Sequence, residues 1–217
     1  MDNKYTLPAK QYVASFDIDA QKTFTPLCPN ELPIAEGDQI VPELNKQAQF
    51  ASVRVASRDA HSPYAEWIAD EKHPCLTPIV GKPDMDLYWT RHAIVGTPGF
   101  DFIDGLDPEA YDFQSLKGIE VDKHPYGACY HDLANKKSTG VIEFLKSKGI
   151  TTVICGGLAT DYCVLNTVLQ LKNAGFTVVL NLAGCRGIAP DTTASALQKM
   201  KDAGVTIVSH AGLLQQP

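Results

Sequence analysis

Long apolar runs are missing from this sequence. Nothing in its 217 residues approaches the roughly 18 needed for a helix to span a bilayer, which excludes a helical membrane anchor. The first residues, MDNKYTLPAKQYV, lack the apolar centre of a signal peptide, so a cytoplasmic protein is expected. Positive charge is also scarce: 19 Lys and Arg stand against 25 Asp and Glu, for a net charge of −6. That balance argues against nucleic acid or an anionic membrane surface as partner. Closely paired cysteines are absent too. The six, at 28, 75, 129, 155, 163 and 185, show no CxxC spacing, which speaks against a zinc knuckle or a disulfide framework. No linker, repeat or low-complexity tract interrupts the chain. What remains is an ordinary globular composition, 44% hydrophobic and 20% charged. A chain of this length buries roughly 70% of its unfolded surface, enough for one good core.

Strand and helix patterns alternate. β-Branched or apolar runs at 12–19, 51–57, 118–122, 151–157, 176–182 and 205–209 read as strands. Helical spacing appears at 40–50, 138–149 (with a Ser cap), 161–174 (capped by Thr160 or Asp161) and 191–204 (with an Asp cap). Nearly all-apolar strands separated by helices imply a parallel sheet covered on both faces. The expected fold is therefore a single α/β domain over 1–217, a three-layer sandwich whose six-stranded, mainly parallel sheet carries helices on both faces. Residues 60–117, rich in Pro, Gly and Asp, read as one long loop insertion over the carboxyl edge of the sheet.

Ligands of open α/β sheets bind at that edge. The first strand delivers Asp19, the second runs into Arg58, Asp59, Ala60 and His61, and the third, placed at 118–122, delivers Lys123 and His124. The fourth passes through GGLATDYC into Cys163, at the start of a helix. Free N–H groups there, with a nearby Lys, favour a thiolate and could hold an oxyanion. A plain buried helix cysteine is the alternative. Alternation directs Asp59 and His61 to one side, where both could bind a divalent metal, or could simply stabilise a turn. His92 in WTRHAIVGTPG is a further donor, in competition with His73, His124, His131 and His210.

Taken together, FDIDAQKTF, SRDAH, WTRHAIVGTPG, EVDKHPYGACY and GGLATDYCV closely resemble the nicotinamidase/pyrazinamidase family of the isochorismatase-like hydrolases, in order, from about residue 12 to 210. The resemblance implies a catalytic triad of Asp19, Lys123 and Cys163, and metal ligands Asp59, His61 and His92. It also implies a cis peptide at Leu158–Ala159, an oxyanion site at the amides of Ala159 and Cys163, and ring-pocket walls Phe24, Trp89, Tyr130 and Tyr162. One divalent ion per chain follows, zinc or iron first and manganese after them. Glu66, His73 or water is left to complete its coordination. The implied reaction is hydrolysis of nicotinamide, with pyrazinamide as a second substrate, to the acid and ammonia through a Cys thioester, in NAD salvage. Homo-oligomers remain open. The sequence departs from the family's frequent Trp-Pro-x-His-Cys at Trp89-Thr90-Arg91-His92-Ala93, which bears on the rigidity of that loop. Hydrolysis of another amide or an enol ether, and a silent ligand-binding module, are the rival readings.

Overall fold

A computed structural model describes residues 4–217. Its strands in chain order are β1 (Tyr5–Thr6), β2 (Val13–Ile18), β3 (Val53–Asp59), β4 (Phe113–Lys117), β5 (Thr152–Leu158), β6 (Thr177–Arg186), β7 (Thr206–Val208) and β8 (Leu214–Gln215). Helices α1 (Val41–Ala48), α2 (Val141–Ser147), α3 (Leu165–Asn173) and α4 (Pro190–Asp202) lie between them. β2 to β7 form one six-stranded sheet in the order β4-β3-β2-β5-β6-β7, parallel throughout, while β1 and β8 pair as a separate ribbon.

Alternation along the central strands divides the core. Ala14, Phe16 and Ile18 of β2 face Val141, Leu145, Val168 and Met200, so α2, α3 and α4 cover one side. Val13 and Ile154 point to the opposite side. That side also holds a buried polar network. The carboxylate of Asp17 accepts two hydrogen bonds from Arg54 (2.7 and 3.0 Å) and one from the Tyr111 hydroxyl (2.9 Å). Burial raises the Asp17 pKa, and Arg54 opposes the rise.

The chain adds β3 and β4 on one side of β2, then crosses back to place β5 on the other. The direction of winding therefore reverses between β2 and β5, and a crevice opens at their carboxyl ends. Asp19 and the turn leading to Cys163 flank that crevice.

The third strand departs from the sequence reading. It occupies Phe113–Lys117, inside the segment expected to be insertion, whereas 118–122 is turn. Edge position explains the misreading. β4 has one strand neighbour, β3, and only Ser115 and Lys117 in it are buried, so FQSLK lacks the apolar look of a covered strand. Register fixes the outcome, pairing Val55 with Phe113 and Asp59 with Lys117.

Candidate active site

Asp19 follows β2 with a φ of 45°. Its amide donates to the Ser57 carbonyl (3.1 Å) and hydroxyl (3.2 Å), and the same hydroxyl donates to Asp19 Oδ1 at 2.6 Å. β3 thus sets the orientation of the first carboxylate. Asp59, at the end of β3, is held through its main chain: Gln21 accepts from its amide and donates to its carbonyl, both at 2.8 Å.

Lys117 is fully buried between these carboxylates. Its ammonium ion-pairs with Asp19 Oδ2 at 3.0 Å and with Asp59 Oδ1, donates to the Pro125 carbonyl at 3.2 Å, and reaches Cys163 Sγ at 3.7 Å. Lys123, the lysine expected here, instead turns its ammonium to Glu120 at 3.4 Å. The displaced strand is the cause: with β4 ending at Lys117, that side chain is delivered to the crevice and Lys123 falls in the turn beyond.

Cys163 lies in a wide helical turn, Thr160–Val164, that leads into α3. The Ala159 carbonyl accepts from the amides of Tyr162 and Val164 at 3.1 Å each, and the Leu158–Ala159 peptide is cis. Neither Thr160 nor Asp161 caps this helix. The Asp161 carboxylate accepts from the amides of Ile188 (3.0 Å) and Ala189 (3.3 Å) and from the Thr192 hydroxyl, tying the turn to the entry of α4. The Ser138 and Asp191 caps are likewise absent: α2 and α4 start without a side-chain cap.

Burial controls the charges. It pushes the Cys163 thiol well above its usual range; Lys117 pulls it back, and Asp19 and Asp59 add to the rise. Burial thus works against the thiolate expected from the place of Cys163 at a helix start. Burial also raises Asp19 despite Lys117, making it a stronger base than a solvated carboxylate. Burial would raise Asp59 too, but Lys117 and then His61 hold it well below the usual carboxylate range. On Lys117, burial lowers the pKa and is outweighed by Asp19 and Asp59, so the ammonium is firmly charged.

Beside this cluster stand His61 and His92. His61 Nδ1 donates to the Gly118 carbonyl (2.9 Å) and His92 Nδ1 to the Thr90 carbonyl (2.7 Å). A carbonyl can only accept, so each Nδ1 carries a proton, and this anchoring leaves each Nε2 as the ring nitrogen facing the cluster. Those Nε2 atoms lie 3.5 and 3.9 Å from Asp59 Oδ2, and that of His61 is buried without a hydrogen-bond partner. Imidazoles locked in this way beside a carboxylate suit a divalent metal. Burial lowers the His92 pKa to about 3, keeping the ring neutral. The loop holding His92 is braced where the Ala93 amide donates to Thr23 Oγ1 and Glu31 Oε2, both at 3.0 Å. Glu66 pairs with Lys82 at 2.8 Å and His73 with Asp70 at 3.0 Å, so neither of the other candidate ligands joins the cluster. His124, left among competing histidines, does: its ring lies 5.3 Å from His61 and 5.6 Å from His92.

A small crevice opens between these groups. Phe24, Trp89 and Tyr162 line it as expected, with Cys163 and Ala159 at its reactive end. Tyr130 does not. It packs against the main core and lines a separate groove with Asn135 and Gln170, while Tyr126 takes the place at the wall. The Tyr126 hydroxyl donates to Asp86 (2.6 Å) and accepts from Trp89 Nε1 (3.1 Å).

Comparison with known proteins agrees with this architecture. The nicotinamidase of Acinetobacter baylyi is 28% identical over 91% of this chain and 92% of its own length. The nicotinamidase/pyrazinamidase structure from Acinetobacter baumanii superposes with a TM-score of 0.84 at 28% identity, covering 91% of this chain and 96% of that one. The pyrazinamidase of Pyrococcus horikoshii, solved in complex with zinc, gives a TM-score of 0.73 at 29% identity, over 91% and 98% of the two chains. The Isochorismatase domain matches residues 14–212, nearly from the first central strand to the last helical turn. The chain belongs to the isochorismatase family.

Proposed function

We propose that this protein is a metal-dependent nicotinamidase that hydrolyses nicotinamide, and pyrazinamide by the same route, to the acid and ammonia. One observation carries the reading: a buried Asp19–Lys117–Cys163 trio opens into a small aromatic pocket that also presents His92.

Asp19, raised by burial, takes the Cys163 proton as the sulfur attacks the amide carbonyl carbon. Lys117 stabilises the negative charge passing between sulfur and carboxylate. The carbonyl oxygen becomes an oxyanion held by the amides of Ala159 and Cys163, an interaction worth about 3–4 kcal/mol per donor. Collapse expels ammonia, which leaves with the proton from Asp19. Asp19 then removes a proton from water, which attacks the thioester and releases the carboxylic acid and the thiol. Asp59, His61 and His92 are the residues that would hold the metal; when bound, it supplies a Lewis acid that anchors the ring nitrogen and so selects pyridine and pyrazine amides. Phe24, Trp89, Tyr126 and Tyr162 orient the ring and exclude water.

The test is ammonia and nicotinate release from nicotinamide by the purified, zinc-loaded protein. Turnover at least a thousandfold above Cys163→Ala is expected. Turnover of neither nicotinamide nor pyrazinamide overturns the assignment.

A further inference from the structure

We infer that His124 is a ligand of the metal, so that Asp59 and three imidazoles, His61, His92 and His124, hold it. The inference rests on the metal-dependent reading of this site and extends it to a residue outside the set that the sequence motifs imply.

His124 is 4% exposed, and neither of its ring nitrogens has a hydrogen-bond partner. A buried polar atom without a partner is destabilising, so an imidazole with two is not ordinary core packing. Its neighbours explain why the protein offers it none. Trp67, Tyr126 and Trp89 surround the ring at centroid distances of 4.4, 5.3 and 6.0 Å, and aromatic faces do not accept an imidazole N–H well. The polar atoms it can share a ligand with are those of the cluster. One nitrogen from each of His61, His92 and His124 lies within 4.8 Å of the others, and all three residues are buried.

The backbone supports the same placement. Lys117 donates to the carbonyl of Pro125, directly after His124, and the His124 amide donates to the Asp84 carbonyl at 2.8 Å. The lysine that serves the sulfur thereby also fixes the segment that carries the third imidazole. Trp67 lies over the group, 4.6 Å from His61 and 5.0 Å from His92, and shields it from water. Imidazole nitrogen is a favoured donor for zinc, and a carboxylate with three imidazoles makes a four-donor set.

The decisive measurement is zinc affinity without substrate, from competition with a chromophoric chelator, together with metal content by mass spectrometry. Wild type should bind one zinc per chain. His124→Asn and His124→Ala should bind more than about 100-fold more weakly, beyond the 10–100-fold typical of groups that only orient a ligand. Cobalt(II) absorption should change in band position and intensity, which loss of packing alone would not produce. Circular dichroism in chelator checks that each variant is folded, and His124→Asn keeps a polar group of similar reach if His124→Ala is not. Unchanged zinc affinity in a folded variant, or no zinc binding by the wild type, overturns the inference. Because substrate is absent, the two readings fail separately. A chain that loses zinc with His124 but releases no ammonia from nicotinamide keeps the ligand and loses the amidase.

Discussion

The ammonium of Lys117 stands 3.7 Å from the sulfur of Cys163, while that of Lys123 pairs with Glu120. The two lysines can therefore be told apart by titration. Lys117 is the cation that favours the thiolate, so Lys117→Met should raise the thiol pKa further. One unit corresponds to about 1.4 kcal/mol, and a shift of at least that size is expected. The midpoint of Cys163 alkylation against pH should move upward in Lys117→Met and stay in place in Lys123→Met. An upward shift in Lys123→Met alone would reverse the assignment.

Cys163→Ala should abolish ammonia release and keep the fold, since losing one sulfur leaves only a small gap. Cys129 and Cys185 are buried thiols that burial pushes upward, that of Cys185 to about 12. Their conversion to Ala, and that of Cys28 and Cys75, should leave most activity. Loss as deep as that of Cys163→Ala in any of these four would contradict a single nucleophile.

Gly118 has a φ of +72°, and a Cβ added there would collide with the His61 ring. Gly118→Ala should thus displace His61, a proposed metal ligand, without removing any donor. Zinc affinity should fall about 10–100-fold, as it does when a ligand loses its orientation. Full metal content at wild-type affinity would show that His61 does not bind the ion.

Tyr126→Phe removes the acceptor for Trp89 Nε1 and the donor to Asp86. Leaving those groups unpaired is worth about 1–3 kcal/mol, spent on loosening the pocket wall. KM should rise about tenfold with kcat within a factor of about 2, whereas Tyr130→Phe should match wild type in both. A kcat loss with unchanged KM in Tyr126→Phe would place that tyrosine in the chemistry and not in the wall.

Arg54→Met tests the network behind the sheet. Asp17 would be left buried with its cation gone, a loss of about 3–5 kcal/mol by denaturant unfolding. A change below about 1 kcal/mol would mean that the pair contributes little.

Local patterns in the chain marked out the central strands, the helices after them and the turn into Cys163, because each is set by neighbours in sequence. TTVIC reads as covered strand and becomes β5, and SRDAH brings Asp59 and His61 to one cluster. Lys117 was not legible. The apolar alternation of Ile119 and Val121 imitates a strand, yet both side chains are exposed, at 52% and 41%. The true edge strand was chosen by pairing with β3, a long-range register that no local window contains. Tyr126 was missed for the same reason, since the loop after β4 is placed by the end of that strand. His124 was named only as one of several competing histidines, because nothing local to the sequence separates it from the others; Trp67 gave no signal at all.

Asp161 has a consequence for motion. Its carboxylate ties the turn bearing the nucleophile to the amides of Ile188 and Ala189, and Ile188 lines the pocket mouth. Rim and turn, 27 residues apart in sequence, are expected to open as one unit. In hydrogen–deuterium exchange the amides of Ile188 and Ala189 should therefore share their opening free energy with the turn from Thr160 to Val164. A ligand that fills the pocket should then slow exchange in both segments together, because one carboxylate braces the rim and the turn that carries Cys163.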